Sequence, residues 1–588
     1  MHTPPPPLRI GASYYPEHWP RPRWHEDLQL MKEADLDVLR VGEFAWAALQ
    51  PGPEHWDWEW LDQFMDDAHE HGIQILLCTP SACPPPWLID LEPDILPQMA
   101  DGSIKSLGAR RHYSPFHAAY RDRAAAMAAQ LGQRYGQHPA LMGWQIDNEL
   151  CGNITDCGPL AQAAFQQWLR QRFNDHLDDF CTALGLHFWS QRYSSWDQIP
   201  LPIQGSHHPG LKLLFQECCS DYWIAFCAAQ VQAIREQNCP QPITTNCYAF
   251  NFGMAIDWRQ LVEEAPLDCF SFDNYARSAH EACFYHDLGS SMGVPYWITE
   301  QQSGPYGANY PWPEDPLRVT TMATNGREHG AEAILYFPWR QIPWGQEQEH
   351  GAILDHNGKP GLQFHRVCST NAQLRNCKPL PPQGIGLAFC WRDSWAWQHA
   401  GLKISYAEEM IERCYRGLLG VTPRVEICTH PDDLARLRIA IIPLKCVYDA
   451  AWEAAIIRLV VSGGQVLCCA HTFARDAYNA YRSQYLGRTM EDLFGIQVNR
   501  RIRIRNDAAI TCDDGLRMHM VAEILDVDDA EIITRYSDGP QPHSAALTRK
   551  DHASGGAAWY CAGYPDHHGF TALVQRVTTH VGNADVSQ

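Results

Sequence analysis

The chain has 588 residues, too many for one ordinary domain and enough to bury a large core. Its apolar fraction of 45% and aromatic fraction of 11% are typical of a globular protein and exclude a disordered one. A formal net charge of −22 disfavours binding to nucleic acid or to an anionic membrane surface.

The N-terminal sequence, the apolar segments and the cysteines of the chain bear on the cellular compartment of the protein. The N-terminal sequence MHTPPPPLRIGASYYPEHWP has no basic stretch followed by an apolar run, so it predicts no secretory signal. No segment reaches the roughly 20 apolar residues that a membrane helix needs. The 22 cysteines are scattered through predicted helices and strands. We therefore predict a cytoplasmic protein with buried thiols, the alternative being an exported enzyme with a few disulfides.

Short apolar runs alternate with amphipathic helical stretches through the first two-thirds of the chain. Eight of these runs are predicted strands: IGASYY (10–15), VLRVGEF (38–44), IQILLCTPS (73–81), LMGWQIDNEL (141–150), PITTNCY (242–248), CFSFDNY (269–275), PYWITEQQ (295–302) and AILYFPWRQ (333–341). Such strands, separated by helices, indicate a parallel sheet covered on both faces. Eight repeats predict a (β/α)8 TIM barrel. The rival, an open doubly wound sheet, typically has fewer strands and a glycine-rich first turn.

A linker and a second domain follow the predicted barrel. The stretch NCKPLPPQGIG (376–386) contains three prolines and two glycines in eleven residues, which is typical of a linker. Strand-like and helix-like segments then resume on a smaller scale, from IGLAFCW to QVLCCA. We predict a catalytic barrel over 1–378, a linker over 379–386 and a smaller α/β domain over 387–588.

Active sites of closed parallel barrels lie at the C-terminal ends of the strands. The polar groups there are Arg40 to Glu43 after the second strand, Asp147-Asn148-Glu149 after the fourth, Asp273-Asn274-Tyr275 after the sixth, Thr299-Glu300-Gln301 after the seventh, and Arg340, Glu347 and His350 after the eighth. Two glutamates on the fourth and seventh strands would thus face one another. Paired carboxylates at a barrel mouth suit glycoside hydrolysis, with one as acid/base and the other as nucleophile. The alternative for Asp147 to Glu149 is a helix cap or solvated turn, because short Asn-Glu pairs are common.

Two neighbours of these glutamates have predicted roles. The Asn148 amide can hydrogen-bond a sugar hydroxyl beside the reacting carbon, a contact that strengthens in the transition state. Arg40 is a candidate cation for keeping Glu300 ionised. A purely structural ion pair between Arg40 and Glu43, or another carboxylate, is equally consistent with the sequence.

Eight further stretches occur in order along the chain: YYPEHWP (14–20), LRVGEFAWAALQP (39–51), TPSACPPPWL (79–88), RRHYSP (110–115), GWQIDNEL (143–150), HFWSQRY (187–193), WITEQQSGP (297–305) and YFPWRQIPWGQEQEHG (336–351). Together they resemble the β-galactosidases of glycoside hydrolase family 42. The resemblance implies a TIM barrel followed by a flavodoxin-like domain. It also implies Glu149 as acid/base and Glu300 as nucleophile, in a retaining double displacement through a covalent galactosyl-enzyme. That mechanism asks Glu149 to be protonated near neutral pH while Glu300 stays ionised, so their environments must differ.

The same resemblance implies the residues that bind the sugar. The family pattern matches Arg110, Arg111, Asn148, Tyr275, Glu347 and His350. Charged and bidentate groups of this kind suit an array of galactose hydroxyls. The alternative for Glu347 and His350 is plain solvated surface, because the loop QEQEHG is polar throughout.

Three features depart from the family pattern. Many members bind zinc through a cysteine after RRHY and three more after the fourth strand; here Ser114, Cys151 and Cys157 occupy the region, so we expect neither metal nor cofactor. The usual GPVNW-type stretch after the seventh strand reads GPYGANYPWP, which leaves Tyr306, Tyr310 and Trp312 as candidates for the sugar-stacking aromatic. The small C-terminal β domain of many members is expected to be absent or truncated.

The resemblance also bears on partners and on rival functions. It implies a galactoside substrate and a homotrimer assembled through the second domain, each subunit helping to wall its neighbour's pocket. One alternative is an α-L-arabinopyranosidase with the same machinery, whose sugar lacks the exocyclic hydroxymethyl group. Another is a sugar-binding barrel without turnover. Retention of both Glu149 and Glu300 argues against a binder, which needs no opposed carboxylates.

Overall fold

The computed structural model describes residues 7–152, 155–203, 207–249, 256–304, 318–399, 405–505 and 508–586. The chain divides into two compact units. The first comprises Met1–Leu177, Tyr193–Gly205 and Phe215–Pro379, and the second comprises Asp178–Arg192, Ser206–Leu214 and Leu380–Gln588. Among the described residues, no helix is both long and apolar enough to cross a bilayer.

The first unit is built on one parallel sheet. Its strands in the described ranges are β1 (Arg9–Ser13), β2 (Val38–Val41), β3 (Gln74–Cys78), β4 (Leu141–Gln145), β5 (Ile243–Thr244), β6 (Asn246–Tyr248), β7 (Phe270–Asn274), β8 (Tyr296–Gln302) and β9 (Ala333–Phe337). They pair in the order β5-β4-β3-β2-β1-β9-β8-β7-β6. The edge strands β5 and β6 are two pieces of the fifth predicted strand, separated only by Thr245. The sheet therefore begins and ends in one stretch of chain, and the predicted (β/α)8 barrel is confirmed.

Helices follow the strands of the barrel. The α-helices that begin before residue 370 are α1 (Arg21–Glu33), α2 (Trp46–Leu49), α3 (Glu59–Glu70), α4 (Pro86–Leu91), α5 (Ala118–Tyr135), α6 (Pro159–Arg172), α7 (Leu177–Ala183), α8 (Pro209–Arg235), α9 (Trp258–Glu264), α10 (Ala279–Ser290), α11 (Arg318–Glu328) and α12 (Leu362–Leu374). Short 3-10 helices span Pro16–His18, Pro80–Ala82, Pro93–Ile95, Phe188–Ser190, Trp196–Gln198 and Gly345–Glu347. Several helices bury an apolar stripe and leave charged residues outside, as in α3, where Leu61, Phe64 and Met65 are buried.

The interior of the barrel has an apolar floor and a polar upper layer. Its floor is a cluster of buried side chains from several strands: Val38, Leu76, Cys269, Trp297, Ala333 and Leu335. Side chains two or four positions further along a strand point to the same face. Arg40 and Asp273 are thereby brought above the floor, at the C-terminal ends of their strands.

A bulge in β8 decides which side chain of that strand enters the upper layer. The pairing of β7 with β8 skips one residue, so that Asp273 faces Glu300 and Thr299 is left over. Regular alternation after the inward-facing Trp297 would bring Thr299 into the barrel instead. The extra residue therefore turns Glu300 inward, as bulges beside active sites often do.

Several strands end earlier than the sequence predicts. The second and fourth predicted strands extend to residues 44 and 150, whereas β2 and β4 end at Val41 and Gln145. Beyond them the backbone turns through left-handed conformations, with φ of 93° at Gly42, 55° at Asp147 and 51° at Glu149. Several polar residues of the barrel mouth thus lie on the turns just past the strands.

The second unit contains a parallel sheet extended by antiparallel strands. Its strands are β10 (Ile385–Ala388), β11 (Glu426–Cys428), β12 (Ile439–Ile442), β13 (Gln465–Cys469), β14 (Ile496–Arg503), β15 (Ile510–Thr511), β16 (Arg517–Val527), β17 (Glu531–Arg535), β18 (Ala545–Asp551), β19 (Ala557–Cys561) and β20 (Gly563–Pro565). The main sheet has the order β11-β10-β12-β13-β19-β18-β17. Its first five strands are parallel in the 2-1-3-4-5 order of flavodoxin-like folds, which confirms the predicted class.

Helices and a small additional sheet complete this unit. Most of α7 and the first residues of α8 belong to this unit. Its other helices are α13 (Trp391–Gln398), α14 (Tyr406–Glu408), a π-helix (Glu409–Tyr415), α15 (Arg416–Leu419), a 3-10 helix (Pro431–Arg436), α16 (Ala450–Val461), α17 (Arg488–Phe494) and α18 (His567–Val586). Strands β14, β16, β15 and β20 form the antiparallel sheet. The sequence did not predict this sheet, because strands such as IQVNRRIR are charged and half-exposed and so lack a strong apolar signal.

A buried aspartate on α1 ties that helix to the barrel wall. Asp27 is fully buried and accepts hydrogen bonds from Tyr14 Oη (3.0 Å) and Trp339 Nε1 (2.9 Å), as well as from Arg23. We expect Asp27→Ala to lower the free energy of unfolding by about 3 kcal/mol, because it leaves these donors without their acceptor. Urea denaturation followed by tryptophan fluorescence measures this loss.

A matched control removes a surface partner of the same arginine. Glu26 also pairs with Arg23, at 3.0 Å, but its side chain is 67% exposed. Glu26→Ala should cost less than about 1 kcal/mol, as exposed ion pairs do. Equal losses in the two variants would contradict the buried role of Asp27.

Candidate active site

The polar layer of the barrel is organised around Arg40. This side chain is completely buried, and its guanidinium contacts groups from several strands and loops. Nε donates to Gln145 Oε1 (2.8 Å), and Nη1 donates to Ser13 Oγ (3.1 Å). Nη1 also lies 2.9 Å from Glu300 Oε1 and 3.2 Å from Glu43 Oε1. Both sequence-based alternatives for Arg40, a partner of Glu300 and a structural pair with Glu43, thus describe real contacts.

Glu300 lies in β8 and is 2% exposed. Besides Arg40, its carboxylate accepts a hydrogen bond from Tyr275 Oη at 2.8 Å and from Asn246 Nδ2 at 3.4 Å. Burial raises the pKa of Glu300 to about 7, while the positive charges of Arg40 and Arg110 and the Tyr275 hydrogen bond act in the opposite direction.

Glu149 lies on the turn after β4 and is also 2% exposed. Arg111 Nη1 donates to Glu149 Oε2 at 2.7 Å, and Arg110 Nη2 lies 3.5 Å from the same oxygen. Burial alone would raise the pKa of Glu149, but Arg111, Arg110 and Arg40 hold it below its ordinary value. The backbone N–H of Glu149 donates to Asn246 Oδ1 at 2.9 Å, which fixes the left-handed turn.

The two glutamates face each other at close range. One carboxyl oxygen of Glu149, one of Glu300 and one of Asp273 all lie within 4.8 Å of one another. Carboxyl groups about 5 to 5.5 Å apart are the arrangement of retaining glycosidases, in which one carboxylate attacks the sugar directly. Inverting enzymes need a wider gap for a water molecule.

Asn148 and Asn246 connect the glutamates to each other. Asn148 Nδ2 donates to Glu149 Oε2 at 3.4 Å, and its Oδ1 accepts from both Arg40 and Asn246. Asn246 Nδ2 also donates to Asp273 Oδ2 at 2.8 Å. Sequence reasoning placed Asn148 in the site but missed Asn246, whose signal was a polar side chain inside the apolar run PITTNCY.

Asp273 was noted at a strand end but was not selected as a site residue. It is completely buried, and its Oδ1 has no hydrogen-bond partner among the described residues. Burial, together with the negative charges of Glu300 and Glu149, raises the pKa of Asp273 well above its ordinary value. The centre therefore contains three carboxyl groups rather than two.

The remaining predicted residues surround this centre. Tyr275 contacts Glu300, and its ring packs edge-on against His350, with 5.6 Å between centroids. His350 is buried, and burial lowers the pKa of its imidazole. Glu347 forms an ion pair with Arg110 at 3.3 Å. The structure thus brings together all eight predicted site residues.

The entrance is a cleft of about 510 Å³ lined by aromatic and basic side chains, including Tyr15, Phe44, Arg110 and Trp344. Trp344 is 55% exposed and tilts against the ring of Trp19, with centroids 5.6 Å apart. Basic and aromatic groups at a cleft entrance suit a neutral polyhydroxylated ligand. Tyr306, Tyr310 and Trp312, the sequence-based candidates for sugar stacking, lie outside the described residues.

Hydrogen bonds occupy the region where the resemblance suggested looking for zinc ligands. Ser114 is buried and donates to Asp156 Oδ2 at 2.5 Å. Asp156 Oδ1 in turn accepts from the backbone N–H groups of Gln98 (3.0 Å) and Gly158 (2.8 Å). Among the residues that the structure describes, Cys151 and Cys157 do not belong to a group of three or more metal-ligand side chains.

Family models match both units of the chain. The model described as β-galactosidase matches residues 13–377. The model described as β-galactosidase trimerisation domain matches residues 384–582.

Individual relatives and solved structures agree with these matches. A β-galactosidase from Arthrobacter sp is 31% identical, over 99% of this chain and 86% of its own length. The crystal structure of β-galactosidase from the psychrophilic Marinomonas ef1 has a TM-score of 0.88 and 26% identity, covering 98% of this chain and 92% of that one. The polyextremophilic β-galactosidase of Halorubrum lacusprofundi has a TM-score of 0.91 and 28% identity, covering 98% and 90%.

Proposed function

The chain belongs to glycoside hydrolase family 42, and we propose that Glu149 and Glu300 carry out its reaction, the retaining hydrolysis of terminal non-reducing β-D-galactosyl residues. The observation that supports these roles is the buried carboxyl pair, with oxygens within 4.8 Å across the barrel mouth. The relatives are described as β-galactosidases, so the α-L-arabinopyranosidase and the non-catalytic binder are not favoured.

The reaction proceeds through two displacements at the anomeric carbon. Glu300 attacks this carbon while the bond to the leaving oxygen breaks and Glu149 supplies the proton to that oxygen. The product is a covalent galactosyl ester of Glu300. Glu149 then removes a proton from a water molecule, which attacks the same carbon and releases galactose with its original configuration.

Glu300 has the surroundings of a nucleophile. Arg40, Tyr275 and Asn246 all direct donors at its carboxylate, which favours the ionised form and fixes the direction of attack. Glu149 instead contacts Arg111 and Arg110, which both line the entrance cleft. Both arginines belong to the set that we assign to sugar binding, together with Asn148, Tyr275, Glu347 and His350.

We assign the barrel to 1–378, a linker to 379–386 and a trimerisation domain to 387–588. The match of residues 384–582 to a trimerisation-domain model supports assembly through this second part. We further assign the enzyme to the cytoplasm. None of the 22 cysteines, all within the described ranges, takes part in a disulfide, which suits a reducing compartment.

The roles of the two glutamates are tested by azide rescue. We expect Glu300→Ala to reduce kcat on an aryl β-galactoside by about 10⁴-fold or more, because the nucleophile is lost. Azide should then restore turnover and give the α-galactosyl azide. Glu149→Ala should instead yield the β-galactosyl azide from a dinitrophenyl galactoside, identified by NMR of the product.

A surface variant controls for general damage in that experiment. Glu26→Ala, whose side chain is 67% exposed on α1, should retain wild-type kcat. Full activity of Glu300→Ala, or the same azide anomer from both variants, would contradict the assigned roles. Parallel rates on an aryl α-L-arabinopyranoside measure the preference for the galactoside.

The hydrogen bond from Tyr275 to Glu300 predicts a shift in the pH profile. Glu300 must be ionised to attack, so kcat/KM for a dinitrophenyl galactoside should rise with pH through the pKa of Glu300, about 7. Tyr275→Phe removes a donor that stabilises the charged carboxylate, and a hydrogen bond to a charged group is worth about 1.5 kcal/mol or more. The rising limb should therefore move to higher pH by about 1 unit.

Another buried tyrosine provides the control for this shift. Tyr336 in β9 donates to Asn371 at 2.9 Å, and its hydroxyl group therefore points away from both glutamates. Tyr336→Phe should leave the rising limb where it is in the wild type. An unmoved limb in Tyr275→Phe would refute the role given to its hydroxyl group.

The oligomeric state can be measured directly. Three chains of 66.8 kDa give a particle of about 200 kDa, which light scattering coupled to size-exclusion chromatography resolves from a monomer or dimer. Dilution gives a second measurement, because the mass of a stable trimer should stay constant over a tenfold range of concentration. A mass of one or two chains would exclude the proposed trimer.

A further inference from the structure

Asp273 differs from its two carboxyl neighbours in having no cation beside it. Arg111 and Arg110 contact Glu149, and Arg40 contacts Glu300. Within the described part of the chain, the ion pairs include none to Asp273, whose Oδ2 accepts only the 2.8 Å hydrogen bond from Asn246. Among the described residues, its buried Oδ1 has no hydrogen-bond partner. One of its two carboxyl oxygens lies within 4.8 Å of one carboxyl oxygen of each glutamate.

A buried carboxylate that lies beside two other carboxylates and has no cation of its own is unstable in its charged form. Removing such a charge from water is strongly unfavourable, so a carboxyl group in this position takes up a proton. The titratable groups that face Asp273 add to this effect or oppose it; they are Glu149, Glu300, Arg40, Tyr275 and Cys247. The glutamates outweigh the single arginine, which is already engaged by Glu300 and Glu43.

The surroundings of Glu149 conflict with its proposed role as a proton donor. Its place against Arg111 and Arg110 favours the charged carboxylate, whereas the leaving group needs a proton from it. One carboxyl oxygen of Asp273 lies within 4.8 Å of one carboxyl oxygen of Glu149, so the two groups are direct neighbours. Two carboxyl groups can share a hydrogen bond only if one of them is protonated.

We propose that Asp273 holds the proton in the resting enzyme and passes it to Glu149 during cleavage of the glycosidic bond. This inference rests on the proposed function, and it makes Asp273 a positioning residue for the proton rather than a group that touches the sugar. The bare Oδ1 is the atom that carries the proton.

The proton and charge balance of the step is complete. At pH values above the pKa of Glu300, about 7, Asp273 is neutral at rest, while Glu149 and Glu300 are charged. Asp273 gives its proton to Glu149, which gives it to the leaving oxygen as the bond from that oxygen to the anomeric carbon breaks. Glu300 becomes a neutral ester at the same time, and Asp273 becomes charged. The reverse transfers follow when water loses a proton to Glu149 and the ester is cleaved.

The loss of charge on Glu300 is what allows Asp273 to ionise. Asp273 faces Glu300 across the paired strands β7 and β8, so it feels that charge directly. Forming the ester removes the neighbouring negative charge and lowers the cost of charging Asp273. The three carboxyl groups keep a total of two negative charges throughout the first displacement.

The test compares two substrates in Asp273→Asn. The amide can still accept the hydrogen bond from Asn246, but it cannot release a proton. We expect kcat/KM for methyl β-D-galactoside, whose leaving group needs acid assistance, to fall by about 100-fold. For dinitrophenyl β-D-galactoside, which needs none, kcat/KM should change by less than about 3-fold. The ratio of the two values is independent of the fraction of enzyme that folds.

The pH profile supplies a second readout. Without Asp273 the proton must reside on Glu149, and the positive charges of Arg111 and Arg110 lower the affinity of Glu149 for it. The falling limb of kcat/KM for the methyl galactoside should therefore move to lower pH. As the control, Asp257→Asn changes a half-buried aspartate that caps α9 and lies outside the site, and it should leave both the ratio and the limb unchanged.

The outcomes separate this inference from the proposed function. Equal losses on both substrates with an unmoved limb, or wild-type behaviour, would refute the proton role of Asp273 and leave the family reaction intact. Failure of the wild type to hydrolyse either galactoside would refute the proposed function instead. The proton on Asp273 in the resting enzyme can also be observed by infrared spectroscopy. A difference spectrum of wild type minus Asp273→Asn at neutral pH should contain the carbonyl stretch of a protonated carboxyl group. The absence of this band would overturn the inference.

Discussion

The active site depends on the complete burial of one guanidinium, that of Arg40. A buried cation is tolerated only when carboxylates and other acceptors surround it. Those acceptors come from separate strands: Ser13 from β1, Gln145 from β4 and Glu300 from β8. Satisfying Arg40 therefore holds three parts of the barrel mouth in fixed positions. The same contacts that keep this residue stable inside the fold also aim the proposed nucleophile.

The remaining charges are arranged as a consequence of that burial. Glu43 shares Nη1 of Arg40 with Glu300 and also accepts from Tyr15 at 2.7 Å, and among the described residues Arg40 forms no ion pair with Asp273. Arg111 and Arg110 serve Glu149 on the other side of the centre. The barrel mouth thus has more acidic groups than cations in contact with them. A protonated carboxyl group is the simplest way to balance such a cluster, which is why protonation and catalysis are linked in this site.

The sequence predicted the strands and the polar residues that meet at the barrel mouth because both leave strong local signals. Apolar runs mark the eight barrel strands, and polar residues that interrupt their ends mark the mouth. Asn246 and Asp273 were missed as site residues, since a single polar side chain in a strand does not reveal its partners. The fifth predicted strand is interrupted at Thr245, where the two ends of the sheet meet, and β8 contains the extra residue Thr299. Both features depend on pairing between distant segments, which the sequence does not reveal. The antiparallel strands of the second unit were hidden by their charged, half-exposed surfaces.

These irregularities have a common physical cause. Regular alternation in a parallel strand offers one inward side chain for every two residues, at heights set by the strand register. A catalytic pair needs two carboxyl groups at a particular separation, which a regular register does not generally provide. The bulge at Thr299 turns Glu300 inward on one side, and the left-handed backbone at Glu149 turns the other carboxyl group toward it. The separation of the pair is therefore set by two local departures from regular geometry, each stabilised by hydrogen bonds to Asn246 and Arg40.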